Sequence, residues 1–249
     1  MRYDHVRMRF VHGGPGSGRY PAGSGEKSKG LIRRMEYDKI AGNITTLNFS
    51  KEEEELAALS AINSVHLQVV NDFDVVQKVV SKYPVADLKV VDGRNIAPKI
   101  VQDPNSSHNT ASGLYDQKYR SITVSRGNGS KEWADAAPRI GDTNVGLNGP
   151  GIYRHELGHH VYDYLGATFG QEAFVIKSQF SAAVKGMSDR EIQRGISGYA
   201  LVKDMKGNIK STEAFAEAFS AWTNPKYGSG KRLDRRIETV FENHFKRKL

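Results

Sequence analysis

The sequence of 249 residues contains no cysteine, which excludes both disulfide bonds and thiolate metal ligands. Any metal ion that the chain binds must therefore be held by histidine and carboxylate side chains. The sequence also lacks any run of about 18 uninterrupted apolar residues, and its first residues form no apolar signal region. We therefore expect a soluble, cytoplasmic protein.

Glycine, serine and proline dominate residues 12–25, which contain too few apolar side chains to bury a core. The stretch is not a phosphate-binding loop, because no Gly-Lys-Ser/Thr follows and Lys27-Ser28 is preceded by Glu26. We assign residues 1–34 to a flexible, basic N-terminal segment. Residues 35–249, in a chain that is 38% hydrophobic, provide material for one folded domain.

Positive charge is concentrated at the two ends of the chain. Residues 1–34 contain eight Lys/Arg and two acidic residues, which gives a charge of +6. Residues 231–249 contain seven Lys/Arg and three acidic residues, which gives +4. Because the net charge of the chain is +8, the body between the two ends carries −2. Basic ends could contact nucleic acid, an anionic surface or an acidic partner, or they could be unstructured solubilising tails. The body shows no such bias, so we do not expect its core to bind nucleic acid.

Hydrophobic periodicity and capping residues predict a helix-rich chain with a minor sheet, an α+β arrangement. Predicted helices begin at Lys51 after a cap at Ser50 and cover residues 72–83, 171–185, 188–194 and 233–248. Predicted strands are residues 87–91 and two short strands within 114–124 around a polar turn. We expect the strands to form a small mixed or antiparallel sheet.

Residues 155–160 read His-Glu-Leu-Gly-His-His, which contains an HExxH box. On an α-helix His155 and His159, four residues apart, lie one above the other on one face, so both imidazoles can bind one metal ion. Glu156 lies about 100° round the same helix, where it could take a proton from a water molecule. The alternative is a surface helix that carries two histidines by chance.

The flanking residues favour a helix with one reactive side and one packed side. Leu157, Val161 and Tyr164 cluster opposite His155 and His159 on a helical wheel. Pro150 suits the first helical turn and Gly166 suits the end, so the predicted helix covers residues 150–166.

A catalytic zinc site usually has three protein ligands, so a third must come from another segment. The best downstream candidate is the Ala-rich helical pattern of residues 211–222. Its first face contains Glu213, Ala216, Glu217 and Ser220, and its second contains Phe215, Ala218, Phe219 and Trp222. Two carboxylates backed by an aromatic stripe indicate contact with something positive inside the protein. The alternative is an amphipathic helix whose glutamates face water.

The HELGH box with Asp163, Tyr164 and Gly166, followed by Glu-Ala-Phe-Ala-Glu-Ala-Phe at residues 213–219, resembles the catalytic domain of anthrax toxin lethal factor and related gluzincin metallopeptidases. The resemblance covers about residues 110–225. It implies a zincin-like fold in which Glu213 is the third zinc ligand and Glu217 supports the site. It also implies that the substrate backbone pairs with the edge strand of the sheet, although a purely structural role for the 114–124 hairpin is the alternative.

The family also places a tyrosine before the glutamate helix, where its hydroxyl stabilises the tetrahedral intermediate. Tyr199, in Ser-Gly-Tyr-Ala at residues 197–200, is the counterpart here. It lies 14 residues before Glu213, about twice the family separation, and residues 203–208 fill the gap as a predicted hairpin or loop. An ordinary half-buried tyrosine is the alternative.

We therefore hypothesise a zinc-dependent endopeptidase in which His155, His159 and Glu213 bind Zn²⁺ and Glu156 is the general base. Tyr199 would stabilise the oxyanion, and Glu217 or Asp163 would orient a ligand imidazole. The substrate would be a protein or peptide.

Residues 12–25 resemble a Gly-rich segment of tailed-phage minor head and head-morphogenesis proteins. This suggests an alternative, a phage structural or morphogenesis protein that uses the zinc-binding fold for stability or peptide binding without catalysis. A toxin-like effector that acts in another cell is a third hypothesis. Under the phage hypothesis the protein would be in the cytoplasm of the infected cell or in the virion.

Overall fold

The computed structural model describes residues 2–4, 9–11, 51–91, 112–125 and 133–248. The helices in these ranges are α1 (Lys51–Asp72), α2 (Asp74–Lys82), α3 (Gly149–Phe169), α4 (Gln171–Lys185), α5 (Asp189–Gly195), α6 (Ser211–Trp222) and α7 (Arg235–His244). The strands are β1 (Arg2–Asp4), β2 (Arg9–Val11), β3 (Asp87–Val91), β4 (Gly113–Asp116) and β5 (Ser121–Ser125), and a 3₁₀ helix forms at Tyr199–Leu201. The predicted helix-rich α+β class is confirmed. None of the described helices has the length and apolar character needed to cross a membrane.

The N-terminal strands β1 and β2 pair antiparallel, with Tyr3 opposite Phe10. The rest of residues 1–34, including the Gly-rich stretch at 12–25, lies outside the described residues, as does the boundary at residue 35. The flexible N-terminal segment therefore stays a prediction. The predicted cap Ser50 also lies outside the described residues.

The three-stranded sheet has the order β3-β5-β4 and is mixed. Strand β3 runs parallel to β5, with Leu88 opposite Ile122, and β4 runs antiparallel to β5, with Tyr115 opposite Ile122. Alternate residues of the two paired strands β3 and β5 are buried: Leu88, Val90, Ile122 and Val124. The predicted hairpin within residues 114–124 is confirmed as β4 and β5, and β4 lies at the edge of the described sheet.

Helix α3 is the central element and packs against α1, α2, α4, α6 and the sheet. Pro150 lies in its first turn, and the Asn148 side chain caps the helix by accepting a hydrogen bond from the Gly151 N–H at 2.9 Å. The predicted end at Gly166 is wrong. The helix continues to Phe169, where Gly170 follows with a φ of 57°, a left-handed conformation that glycine adopts without strain.

The predicted helix over residues 233–248 is shorter than expected. Asp234 caps α7 by accepting a hydrogen bond from the Arg236 N–H, and the helix ends at His244. The last described residues leave the helix because they pair with the junction of α1 and α2: Arg247 forms a β-bridge with Phe73, and the Lys248 N–H donates to the Asp72 carbonyl at 2.7 Å. Tertiary pairing thus overrides the helical pattern at this end.

Basic side chains of this C-terminal segment form ion pairs with the rest of the fold. Arg236 contacts Glu191 at 2.7 Å, and Lys248 contacts Asp74 at 3.0 Å. Within α7 and the preceding loop, Glu238 accepts from Arg232 at 2.6 Å. The C-terminal positive charge is therefore partly neutralised inside a folded segment, and this described part of the chain is not an unstructured tail.

Aromatic packing fixes α6 against α4 and α7. The ring of Phe215 lies with its centroid 5.3–6.0 Å from those of four other phenylalanines: Phe180, Phe219, Phe241 and Phe245. All five are fully buried. Each such side chain typically contributes roughly 1.5–3 kcal/mol through burial. This stripe leaves the opposite face of α6 to contact α3.

A buried histidine lies between α1 and α3. His66 Nδ1 and the Tyr153 hydroxyl are 2.5 Å apart. Burial, with a smaller contribution from the nearby His160, lowers the pKa of His66 from 6.5 to about 4. His66 is therefore neutral in the folded protein at neutral pH.

This buried histidine predicts a pH-dependent loss of stability. Between pH 6.5 and 4 the unfolded chain binds a proton at His66 that the folded chain does not, so stability is present above pH 6.5 and is lost as pH falls towards 4. The loss attributable to His66 should reach about 3 kcal/mol near pH 4. Urea unfolding at pH 7.5 and pH 5 should show a smaller drop for His66→Gln than for the wild type. Equal drops in the two proteins would contradict this.

Candidate functional site

Three potential metal ligands converge from two helices. His155 and His159 lie on α3, and Glu213 lies in the first turn of α6. His155 Nε2 and His159 Nε2 are 3.1 Å apart, and Glu213 Oε2 lies 3.5 Å from the first and 3.3 Å from the second. The structure therefore brings together the three residues that the sequence nominated as ligands.

The spacing of these three atoms suits a tetrahedral zinc ion. Donors about 2.0–2.2 Å from one tetrahedral ion lie about 3.3–3.6 Å from each other, and the observed separations of 3.1, 3.3 and 3.5 Å are close to that range. Two imidazole nitrogens and a carboxylate oxygen are also the donors that zinc commonly takes in proteins. The residues present thus fit a zinc ion.

Glu217, one turn after Glu213, fixes the orientation of His155. Its Oε1 lies 2.8 Å from His155 Nδ1. A carboxylate at this position favours the tautomer with the proton on Nδ1, which leaves the Nε2 lone pair directed at Glu213 and His159. Glu217 is only 2% exposed. Its other oxygen accepts from the Ser197 hydroxyl at 2.6 Å and from the Val145 N–H at 2.8 Å.

The electrostatics of the cluster favour a bound cation. Burial alone would lower the pKa of His155, but hydrogen bonds to Glu213 and Glu217 outweigh it and hold that pKa well above its usual value. Burial likewise would raise the pKa of Glu213, but hydrogen bonds from His155 and His159 hold it well below the usual carboxyl range. The half-buried Glu213 and the buried Glu217 therefore stabilise positive charge between them, which a proton or a metal ion can supply.

Glu156 is buried between α3 and the edge strand β4. Burial raises the pKa of its carboxyl group, and the nearby His155 and His159 partly oppose the shift. The backbone N–H of Tyr115 stabilises its ionised form by hydrogen bonding. A Cβ atom on Gly113 would overlap Glu156 Oε1 and would lie 2.7 Å from Ile152 Cγ2. Only glycine therefore lets β4 lie this close to the carboxylate.

Tyr199 lies on the rim of the cluster. Its ring centroid is 5.7 Å from that of His155, and the side chain is 40% exposed. Burial raises the pKa of its hydroxyl, and the negative charges of Glu213, Glu156 and Glu217 raise it further. The phenol therefore remains a hydrogen-bond donor at neutral pH.

The extra residues between Tyr199 and Glu213 fold outward as a hairpin, as the sequence predicted. Lys203 and Ile209 form an antiparallel bridge, and the Lys210 N–H donates to the Val202 carbonyl at 2.8 Å. Gly207, with a φ of 80°, closes the turn. The ends of the insertion are thus held together, so the long separation along the chain does not move Tyr199 away from the cluster.

Two neighbours of the HExxH box have different surroundings from its ligands. Asp163 and His159 are both described, yet no hydrogen bond joins their side chains; burial raises the pKa of Asp163, opposed by the charges of His159 and Lys177. The structure thus supports Glu217, and not Asp163, as the carboxylate that orients a ligand imidazole. His160 points to the opposite side of α3, where its Nε2 contacts the Tyr83 carbonyl at 2.8 Å.

Several contributors to the site were not nominated from the sequence. They are the Ser197 hydroxyl, the Val145 and Tyr115 backbone N–H groups, and the glycines at 113 and 158. A backbone donor cannot be recognised from residue type, because every residue except proline has a backbone N–H. A glycine required for close approach cannot be distinguished in the sequence from a glycine in a turn. The position of Ser197 two residues before Tyr199 was the only available signal.

Comparisons of the chain with protein-family models, with curated proteins and with solved structures found no match. The function is therefore inferred from the geometry of the cluster around His155, His159 and Glu213. That geometry combines three side chains that could hold a metal ion, a buried carboxylate beside them and a phenol on the rim.

The close crossing of α3 and α6 generates a prediction about metal affinity. A Cβ atom on Gly158 would lie 2.9 Å from Ala216 Cα and 3.2 Å from Phe219 Cδ1. Gly158→Ala should therefore push α6 and its glutamates away from the histidines. We expect weaker zinc binding, measured by chelator competition, and a loss of about 1–3 kcal/mol in unfolding free energy.

Gly166→Ala is the matched control, since it is on the same helix and its added methyl group would meet nothing within 4 Å. That change should leave zinc affinity unaltered and should raise helix stability by roughly 0.5–1 kcal/mol. Equal zinc affinities for the two variants would show that the crossing distance does not control the site.

Proposed function

We propose that this chain is a zinc-dependent endopeptidase of the gluzincin type, with a zincin-like fold related to that of the lethal factor catalytic domain. The observation that carries the proposal is the convergence of His155, His159 and Glu213, with Glu156 on the same helix as the two histidines. A zinc site that served only stability would have no use for a buried carboxylate held beside it. The resemblance of both helices to that family supports the same function.

Zinc would be held by the two imidazole Nε2 atoms and the Glu213 carboxylate. When bound, it would supply Lewis acidity, which polarises a carbonyl group and lowers the pKa of a water molecule. Glu217 keeps His155 in the tautomer that this ligand set needs.

Glu156 acts as the general base in this proposal. It removes a proton from the attacking water and then delivers it to the nitrogen of the departing amine. Its burial raises its pKa, which brings the group closer to the range where it can both accept and donate a proton near neutral pH. The Tyr115 N–H holds the carboxylate in position, and the absence of a side chain at Gly113 leaves the space that the carboxylate occupies.

Tyr199 donates a hydrogen bond to the carbonyl oxygen of the scissile peptide as negative charge develops there. Its ring lies against His155, so the hydroxyl is on the same rim as the ligands. The raised pKa of the phenol keeps its proton in place for this role.

The substrate we propose is an extended polypeptide that lies along β4. The Ser125 N–H donates to the Ser112 carbonyl, so the alternation of an antiparallel ladder directs the backbone groups of Gly113 and Tyr115 away from β5. The Tyr115 N–H donates to Glu156, so the Gly113 N–H and carbonyl and the Tyr115 carbonyl are the groups that a substrate backbone would pair with at the edge of the described sheet. A peptide added at this edge would pass next to the metal ligands.

Replacing the base should separate binding from catalysis. Glu156→Gln keeps the size of the side chain but removes its ability to accept a proton, so hydrolysis of a diverse peptide library should fall by at least about a thousandfold. Zinc content, measured by atomic absorption, should remain at one ion per chain. Retained hydrolysis would overturn the role of Glu156. A zinc-loaded wild type that cleaves no peptide would instead favour the non-catalytic alternative.

Removing the third ligand should affect the metal itself. Glu213→Ala leaves only two histidine donors, so we expect zinc affinity to fall by more than about a hundredfold in chelator competition. Glu172→Ala, at an exposed glutamate in the first turn of α4, is the control and should bind zinc like the wild type. Unchanged zinc stoichiometry in Glu213→Ala would remove this residue from the ligand set.

A further inference from the structure

The hydroxyl of Ser197 lies where the segment leading to Tyr199 meets the glutamates of α6. The residue is fully buried. Its Oγ donates to Glu217 Oε2 at 2.6 Å and accepts from the backbone N–H of Ala200 at 3.1 Å. One atom thus contacts both the carboxylate behind a metal ligand and the 3₁₀ helix that begins at Tyr199.

The first contact reaches His155 through Glu217. Glu217 Oε2 is held by two donors, the Ser197 hydroxyl and the Val145 N–H, while Oε1 is left to His155 Nδ1 at 2.8 Å. A buried carboxylate that loses a donor must rotate or recruit water. The orientation of the His155 ring therefore depends on the Ser197 hydroxyl.

The second contact reaches Tyr199. The 3₁₀ helix is a single turn of three residues, and its short length provides little stability of its own. Three hydrogen bonds hold it in place: the Gly198 N–H donates to the Asp142 carbonyl at 2.8 Å, the Tyr199 N–H donates to the Thr143 carbonyl at 2.7 Å, and the Ala200 N–H donates to Ser197 Oγ. Loss of the Ser197 hydroxyl would release one of these three restraints.

We propose that Ser197 is a positioning residue that couples the orientation of the ligand His155 to that of the oxyanion donor Tyr199. The inference rests on the proposed peptidase function, because it assigns Ser197 a part in both zinc binding and transition-state stabilisation. Ser197 itself touches neither the metal ligands' donor atoms nor the substrate; it acts through Glu217 and Ala200.

The test compares Ser197→Ala with Ser220→Ala. Ser220 is also buried, at 2% exposed, and donates one hydrogen bond to the Gly151 carbonyl in the first turn of α3 at 2.9 Å, but no hydrogen bond joins its hydroxyl to Glu217. Both changes delete one buried hydroxyl group, so their effects on folding stability should be similar. Only Ser197→Ala removes a hydrogen bond to Glu217.

Ser197→Ala should weaken zinc binding about tenfold in chelator competition. This is the low end of the effects seen when a residue that supports a metal ligand through hydrogen bonds is changed. The kcat of Ser197→Ala for peptide hydrolysis should fall by about tenfold or more with KM changed by less than about threefold, because the lost interaction acts in the transition state. The proton NMR signal of His155 Nδ1–H in the zinc-loaded protein should also shift. Ser220→Ala should lose clearly less zinc affinity and kcat than Ser197→Ala and should leave the His155 signal unshifted.

Ser197→Cys keeps the shape of the side chain with a somewhat larger atom and supplies a weaker donor, so it should give an intermediate loss of zinc affinity and keeps the test decisive if the alanine variant does not fold. The inference would be overturned if the Ser197 and Ser220 variants had the same zinc affinity, the same kcat and the same His155 signal. A wild-type protein that neither binds zinc nor cleaves peptides would overturn the proposed function instead, and the two failures are therefore distinguishable.

Discussion

The close approach of α3 and α6 is the constraint on which the site depends. The two helices form the most extensive contact between any described elements, and they meet where Gly158 faces the backbone of Ala216. This approach places Glu213 and Glu217, on either side of Ala216, against the histidines one turn apart on α3. The phenylalanine stripe on the far face of α6 holds the helix in that position. The convergence of the three candidate metal ligands is thus a consequence of helix packing.

That packing places two carboxylates, the buried Glu217 and the half-buried Glu213, beside two imidazoles, which has an electrostatic consequence. Buried carboxylates are costly unless positive charge or hydrogen-bond donors compensate them. Glu217 obtains donors from Ser197, Val145 and His155, whereas Glu213 depends on the two histidines. A divalent cation shared by His155, His159 and Glu213 would satisfy the cluster more completely than a single proton, since it binds all three donors at once.

The parts of this protein that could be predicted from sequence are those encoded by local periodicity. The two helices of the site, the β4–β5 hairpin and the α+β class follow from spacing and residue type, and so does the pairing of glutamates on one face of α6 with aromatics on the other. Interactions between distant segments could not be predicted: the Gly158 crossing, the Ser197 hydroxyl and the Tyr115 N–H. The error after His244 has the same origin, because tertiary pairing decides where α7 ends, whereas α3 continues past Gly166 to the local glycine signal at Gly170.

The position of Tyr199 shows why distance along the chain is a weak criterion for membership of a site. A separation of 14 residues from Glu213 suggested that this tyrosine could lie elsewhere. The hairpin at residues 203–209 returns the chain to its starting point, so the spatial gap is set by the hydrogen-bonded base at Val202 and Lys210. An insertion with a closed base adds surface without moving its ends. Such an insertion can alter what the rim of a site contacts while its central residues stay in place.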